Sequence, residues 1–233
     1  MGRETLNREQ IVGAAIELLD AEGEDGLSMR KLGQRLGSAA TAMYWHVGNK
    51  ENLLALAADE VWHELPLPDP GALGWREAAR RMMYDLKALS ARHPWLMRVV
   101  HTHFAYGEGM ARYQDTGYAI FEAAGFSGWE LDHAVNTTST FVIGTSLMDQ
   151  TEASRLKERA APGRDKGTET VDEAEAEALA GAEAIASKYP RLAARLAEHH
   201  GSDPAAMAER AFAYGVEAIL DGLQTRLGPT PGR

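Results

Sequence analysis

Between Leu27 and Lys50 the chain reads LSMRKLGQRLGSAATAMYWHVGNK, two short segments of helical periodicity joined at a glycine. In the first, Leu32 and Leu36 stand four residues apart and share one helix face, which leaves Arg30, Lys31 and Arg35 on the others. Gly37 supplies the left-handed residue that commonly ends a helix, and Ser38 is expected to cap the next one through its hydroxyl. Met43 and Val47 repeat the four-residue spacing and point inward. Ala40, Thr41, Tyr44 and Trp45 are then turned outward, with His46 and Lys50 close behind. Two helices about a tight glycine turn, the second displaying hydroxyl, aromatic and basic groups, describe a helix-turn-helix. A plain helical hairpin has the same spacing. The outward cluster of Tyr44, Trp45, His46 and Lys50 favours a DNA-facing surface, because a structural helix would bury those rings.

LSMRKLGQRLG followed by AMYWHVGNKENLL also resembles the N-terminal domain of the tetracycline-repressor (TetR) family, most closely the tetracycline repressors. YWHV followed by an Asn-Lys pair is the specific part of the match. The resemblance implies a double-stranded DNA operator as partner, contacted by Arg30, Ala40, Thr41, Ala42, Tyr44, Trp45, His46 and Lys50. Arg30 has the length and fork to read a guanine edge, and in the family's pattern an arginine at this place does so. Tyr44, His46 and Lys50 are expected on phosphates. Ala40 and Ala42 replace polar residues of the tetracycline repressors, so the operator should differ from theirs.

At 233 residues the chain is long enough for one large or two modest domains, and its 45% hydrophobic and 25% charged residues suit an ordinary globular protein. It has no apolar run of membrane-spanning length and no apolar signal core at the N-terminus, so a cytoplasmic protein with no membrane partner is expected. The absence of cysteine excludes disulfides, thiolate metal sites and a cysteine nucleophile. A net charge of −10 describes the whole chain, whereas DNA binding needs only a local basic face. The few cations available there point to a dimer, which doubles the phosphate contacts.

The fold expected is all-α: residues 1–50 form a three-helix domain with the helix-turn-helix, and residues 51–233 a larger helical effector-binding and dimerisation domain. Asn7 and Gln10 form a capping box ahead of the stripe Ile11, Ala14, Ala15, Leu18 and Leu19, which ends before Gly23. Asn49 caps a helix running to Glu64. LPLPDPGALG, from Leu65 to Gly74, is the clearest break. Helices are expected at Trp75–Arg92, Trp95–His103 and Gly107–Ala124, the last stopped by Gly125. Ser127 and Glu130 form a capping box opening a long helix to about Glu158. Residues 160–170 read as a mobile loop, Asp172–Ser187 as a weak acidic helix, and Asp203-Pro204 as the start of the last helix. That helix carries an apolar stripe, Phe212 to Leu227, and a small-residue stripe, Ala211, Gly215, Ala218 and Gly222, which serves packing within the subunit or against a second one. The resemblance implies that the last helix and the long one pair with their copies in a homodimer.

Candidate effector-binding residues are Trp62, Met82, Leu86, Trp95, His101, His103, Tyr113, Phe141 and Met148, drawn from a set with Trp75 and Met83 in which plain core packing is the commoner use. His101 and His103 lie two apart, on nearly opposite sides of a helix, so no metal site is expected. Tetracycline repressors take their drug with magnesium, and the residues implied for those contacts read here Pro66, Met82, Leu86 and Met148. The resemblance therefore implies the architecture with a changed, largely apolar small-molecule effector and no cofactor. A DNA-binding regulator without an effector is the first alternative. An enzyme is the weaker one, because no nucleophile–base order, glycine-rich phosphate loop or HExxH stands out.

Overall fold

The computed structural model describes residues 6–103, 105–160, 181, 184–199 and 201–227, and they are all-α, with eleven helices named below and no strand among them. The expected loop at 160–170 and most of the expected helix at 172–187 lie outside the described residues. No helix among those described is long and apolar enough to cross a membrane. Two compact units are present: one holds the described residues up to Gln150 and from Gly215 on, the other Thr151–Tyr214.

Helix α1, Arg8–Gly26, opens on the expected box: Gln10 N–H donates to Asn7 Oδ1 at 2.8 Å and Asn7 N–H donates to Gln10 Oε1 at 3.1 Å. Its expected stop at Gly23 is a kink instead. Gly23 takes φ +70° and the helical turns resume to Gly26. Helix α2, Met29–Arg35, is capped by Ser28, whose Oγ accepts from Lys31 N–H at 3.2 Å. Helix α3, Ala40–Val47, follows the turn in which Gly37 has φ +60°. Ser38 does not cap it, contrary to expectation. Ala39 is the cap residue, and Ser38 N–H donates to Gly33 O at 2.8 Å. The turn folds so closely over α2 that a Cβ on Gly33 would lie 2.7 Å from Ser38 O.

Helix α4, Lys50–Trp62, is capped by Asn49 Oδ1, which accepts from Asn52 N–H at 2.7 Å, and buries Leu53, Leu54, Ala57, Ala58 and Val61. Within the proline-rich break, Asp69 caps a one-turn helix, α5 (Pro70–Leu73), which the sequence reading missed. Helix α6, Trp75–Arg92, matches its expected bounds and buries Ala78, Met82, Leu86 and Leu89. Helices α7 (Leu96–His103) and α8 (Glu108–Ala124) follow, the latter ended by Gly125 at φ +107°. Helix α9, Gly128–Ala160, starts at a glycine with φ +54°, and the expected Ser127–Glu130 box has no counterpart among the described hydrogen bonds.

Helix α10, Pro190–His199, was also missed; proline at its first position is a helix start that resembles a break. The last helix, α11 (Pro204–Arg226), opens as expected on Asp203, whose Oδ1 accepts from Ala205 N–H at 3.1 Å. Its small-residue stripe serves the subunit's own packing at Gly215, where a Cβ would lie 2.2 Å from Phe141 Cζ of α9. Ala211, Ala218 and Gly222 are exposed.

Candidate DNA-binding face and effector cavity

Met43 and Val47 anchor α3 in the core, and their burial fixes which side of the helix faces out. Thr41, Tyr44, Trp45 and His46 are exposed, Ala40 and Ala42 half-buried. Trp45 is 91% exposed, far beyond what a core indole shows. Arg30 projects from α2 and pairs with no described residue, so its guanidinium is available to a ligand. The other cations expected here are engaged. Lys31 pairs with Glu22, and Arg35 with Glu17 at 2.5 Å. Lys50 is half-buried, and its ammonium donates to Glu24 O of α1 at 3.0 Å.

A second set of contacts joins α1 to the elements beyond the break. Asp20 Oδ1 accepts from Trp95 Nε1 at 2.7 Å and from His93 Nδ1 at 2.8 Å, and His93 Nε2 reaches Glu64 at 3.2 Å. His103 Nε2 donates to Glu24 Oε1 at 2.8 Å. Trp95 and His103 therefore lie at this junction. His101 turns away and donates to the backbone oxygen of Met97. Among the described residues no three His, Asp or Glu converge on a metal-sized site.

Between α6, α8 and α9 lies a cavity of about 200 Å³. Ala79, Met82 and Met83 of α6, with Tyr113, Gly117 and Phe121 of α8 and Val135 of α9, make its apolar wall; Gln114, Tyr118, Asp132, Asn136, Thr138 and Ser139 make its polar side. Of the candidate effector residues, Met82 and Tyr113 line it. Trp62 stands one ring behind, its centroid 5.1 Å from that of Tyr113, and its buried Nε1 has no hydrogen-bond partner among the described residues. Leu86 is buried in the core one turn along α6. Phe141 packs on Gly215, and Met148 is 73% exposed. Burial, then the nearby Asp85 carboxylate, pushes the Tyr113 hydroxyl up, so it stays protonated. The polar side was missed because its residues read as ordinary surface. Their one sequence signal is spacing: Gln114 and Tyr118, and Asp132, Asn136 and Ser139, recur at helical intervals on facing helices. A wider, open cleft beside Glu17, Arg35 and Ser38 is a surface groove between α1 and the turn.

Helix α8 is locked to α4. Gly109 N–H donates to Asp59 Oδ1 at 2.7 Å, and a Cβ on Gly109 would meet Asp59 O at 2.7 Å and Trp62 Cβ at 2.8 Å. Only glycine permits that approach.

Residues 11–57 match the family model described as bacterial regulatory proteins, tetR family, and residues 67–227 match tetracyclin repressor-like, C-terminal domain. The chain belongs to the TetR family of transcriptional regulators. Among TetR relatives, the HTH-type transcriptional repressor DrrR1 of Streptomyces coeruleorubidus is 30% identical over 232 residues, 98% of this chain and 81% of that one. An HTH-type transcriptional regulator of Saccharopolyspora erythraea is 38% identical over 140 residues, a match spanning 60% of this chain and 59% of that one. The crystal structure of the Streptomyces coelicolor TetR family protein ActR in complex with actinorhodin superposes with a TM-score of 0.74 at 28% identity, covering 97% of this chain and 99% of that one.

Proposed function

We propose that the chain is a ligand-responsive repressor that binds a near-palindromic operator as a homodimer and leaves it when a small molecule with a largely apolar body occupies the cavity between α6, α8 and α9. The observation that carries this reading is the Gly109–Asp59 lock. Helix α8 forms one wall of the cavity, and α4 begins beside α3, the recognition helix. A ligand that displaces α8 moves α4 with it, and with α4 the spacing of two recognition helices in a dimer. The repressor DrrR1 among the relatives and the ligand-bound ActR structure support the same reading.

Arg30 reads a base edge, Thr41 with Ala40 and Ala42 meets bases, and Tyr44, Trp45 and His46 hold the backbone, with Lys50 both bracing α1 and facing a phosphate. The exposed Ala211, Ala218 and Gly222 of α11 leave room for a second copy of that helix. Magnesium has no part in release, since Pro66 and Met148 offer no oxygen or nitrogen ligand side chain where the resemblance implies metal-linked contacts.

The test is operator affinity across a compound library, with and without magnesium. A ligand shifts the equilibrium only by its differential affinity for the two states. Release by about 5–150-fold, with operator weakening the ligand by the same factor, is the expected coupling. Ligands that bind the chain without changing operator affinity would contradict it.

A further inference from the structure

The cavity is not apolar throughout, and its polar side has a consistent sense. Tyr118 and Gln114 on α8 face Asp132 and Asn136 on α9, and all four side chains line the space. Tyr118 Oη donates to Asp132 Oδ1 at 3.2 Å, which leaves the carboxylate with further lone pairs for a donor. Gln114 Oε1 accepts from Tyr106 Oη at 3.0 Å, and Asn136 Oδ1 from Thr140 Oγ1 at 3.3 Å, so both amide oxygens are already engaged. Asp132 is the one carboxylate among the residues lining the cavity, and so its strongest acceptor. Opposite the rim, Met82 and Gly117 hold an apolar wall, and Gly117 leaves room because a Cβ there would already touch Met82 Cε at 3.4 Å.

We infer that the effector is an aromatic or polycyclic molecule bearing a protonated amine, with the ammonium donating to Asp132 and the ring body against Met82 and Gly117. This rests on the cavity being the effector site. An anionic head would face the Asp132 carboxylate as a like charge and is disfavoured. A charge-assisted hydrogen bond to a partly exposed carboxylate gives a modest but measurable preference.

The test uses two probes of equal shape, 1-naphthylmethylammonium and 1-naphthylmethanol, titrated calorimetrically into the full chain at constant ionic strength. The ammonium is expected to bind about three- to tenfold tighter. Asp132→Asn should bring the two together. Glu130→Gln, the same charge change at a residue off the cavity wall, should keep the preference. Gly117→Leu should weaken both probes, and Gly117→Ala, the gentler filling, should weaken both less. Equal binding of the two probes to the native chain, or a preference surviving Asp132→Asn, overturns the ammonium assignment while the cavity reading stands, provided that filling at Gly117 still weakens both. Binding of neither probe, or binding indifferent to both Gly117 variants, overturns the assignment and the cavity reading together.

Discussion

Trp95 Nε1 donates to Asp20 Oδ1 at 2.7 Å, and this bond ties the start of α7 to the first helix of the DNA-binding region. Asp20 is shared with His93, so one carboxylate collects two donors from beyond the proline-rich break. Trp95→Phe keeps most of the packing and removes one bond to a charged acceptor. The expected loss is about 1–2 kcal/mol of stability, read by urea unfolding. The ratio of operator affinities with and without a releasing ligand should shrink as well, because α1 is then less firmly held to the elements that move.

Gly109→Ala probes the α4–α8 lock. The added Cβ has backbone on one side and Trp62 Cβ on the other, so neither neighbour can rotate away. A loss of about 1–3 kcal/mol is expected in thermal unfolding. Gly13→Ala is the contrast, since a Cβ there meets nothing within 4 Å inside α1, and a gain of roughly 0.5–1 kcal/mol is expected.

The two halves of the fold were not equally readable. Capped and periodic helices declared themselves: Asn7, Asn49 and Asp203 cap as their sequence context implies, and α6 has its expected bounds. Ser38 failed as a cap assignment because a hydroxyl before a helix is permissive and the backbone of the turn decides which residue is the cap; Ser127 directly precedes α9, but the expected box bonds with Glu130 are not among the described hydrogen bonds. The outward face of α3 was legible because burying Met43 and Val47 leaves one way to turn the helix. The cavity was less so. Aromatic and sulfur side chains fit a pocket and a core equally well, which placed Trp95 and His103 at the α1 junction and left Asp132 and Asn136 unnoticed. Only facing helices reveal which polar residues share a space.

Glu217 of α11 is held by Arg80 and Arg76 of α6, at 2.6 and 2.7 Å, and the two guanidinium hydrogen bonds bring its carboxyl down to about 2 from 4.5. A depressed folded-state value means the contribution is full above about pH 5 and fades as pH falls through 4.5 toward 2. The side chain is nearly half exposed, so the network is worth up to about 1 kcal/mol after screening. The stability gap between the native chain and Glu217→Gln should be constant from pH 5 to 8, shrink progressively below about pH 4.5 and close only near pH 2. A gap at pH 3 as large as that at pH 6 would contradict the assignment.

Recognition should divide by role. Arg30→Ala is expected to relax preference at one base pair per half-site at a cost on the order of 1–3 kcal/mol. Lys50→Ala should weaken every sequence alike and lower the salt slope by about one contact per subunit. Binding curves across single-base operator variants distinguish the two.

The central claim is that the α3 face of a symmetric dimer reads DNA. Footprinting on the DNA flanking the chain's own gene tests it most directly. Two protected half-sites related by a twofold axis, with centres about 34–36 Å apart or a multiple of that, are predicted for the native chain, and protection should be lost on Arg30→Ala with Tyr44→Ala. An asymmetric single footprint, or protection untouched by the double substitution, would contradict it.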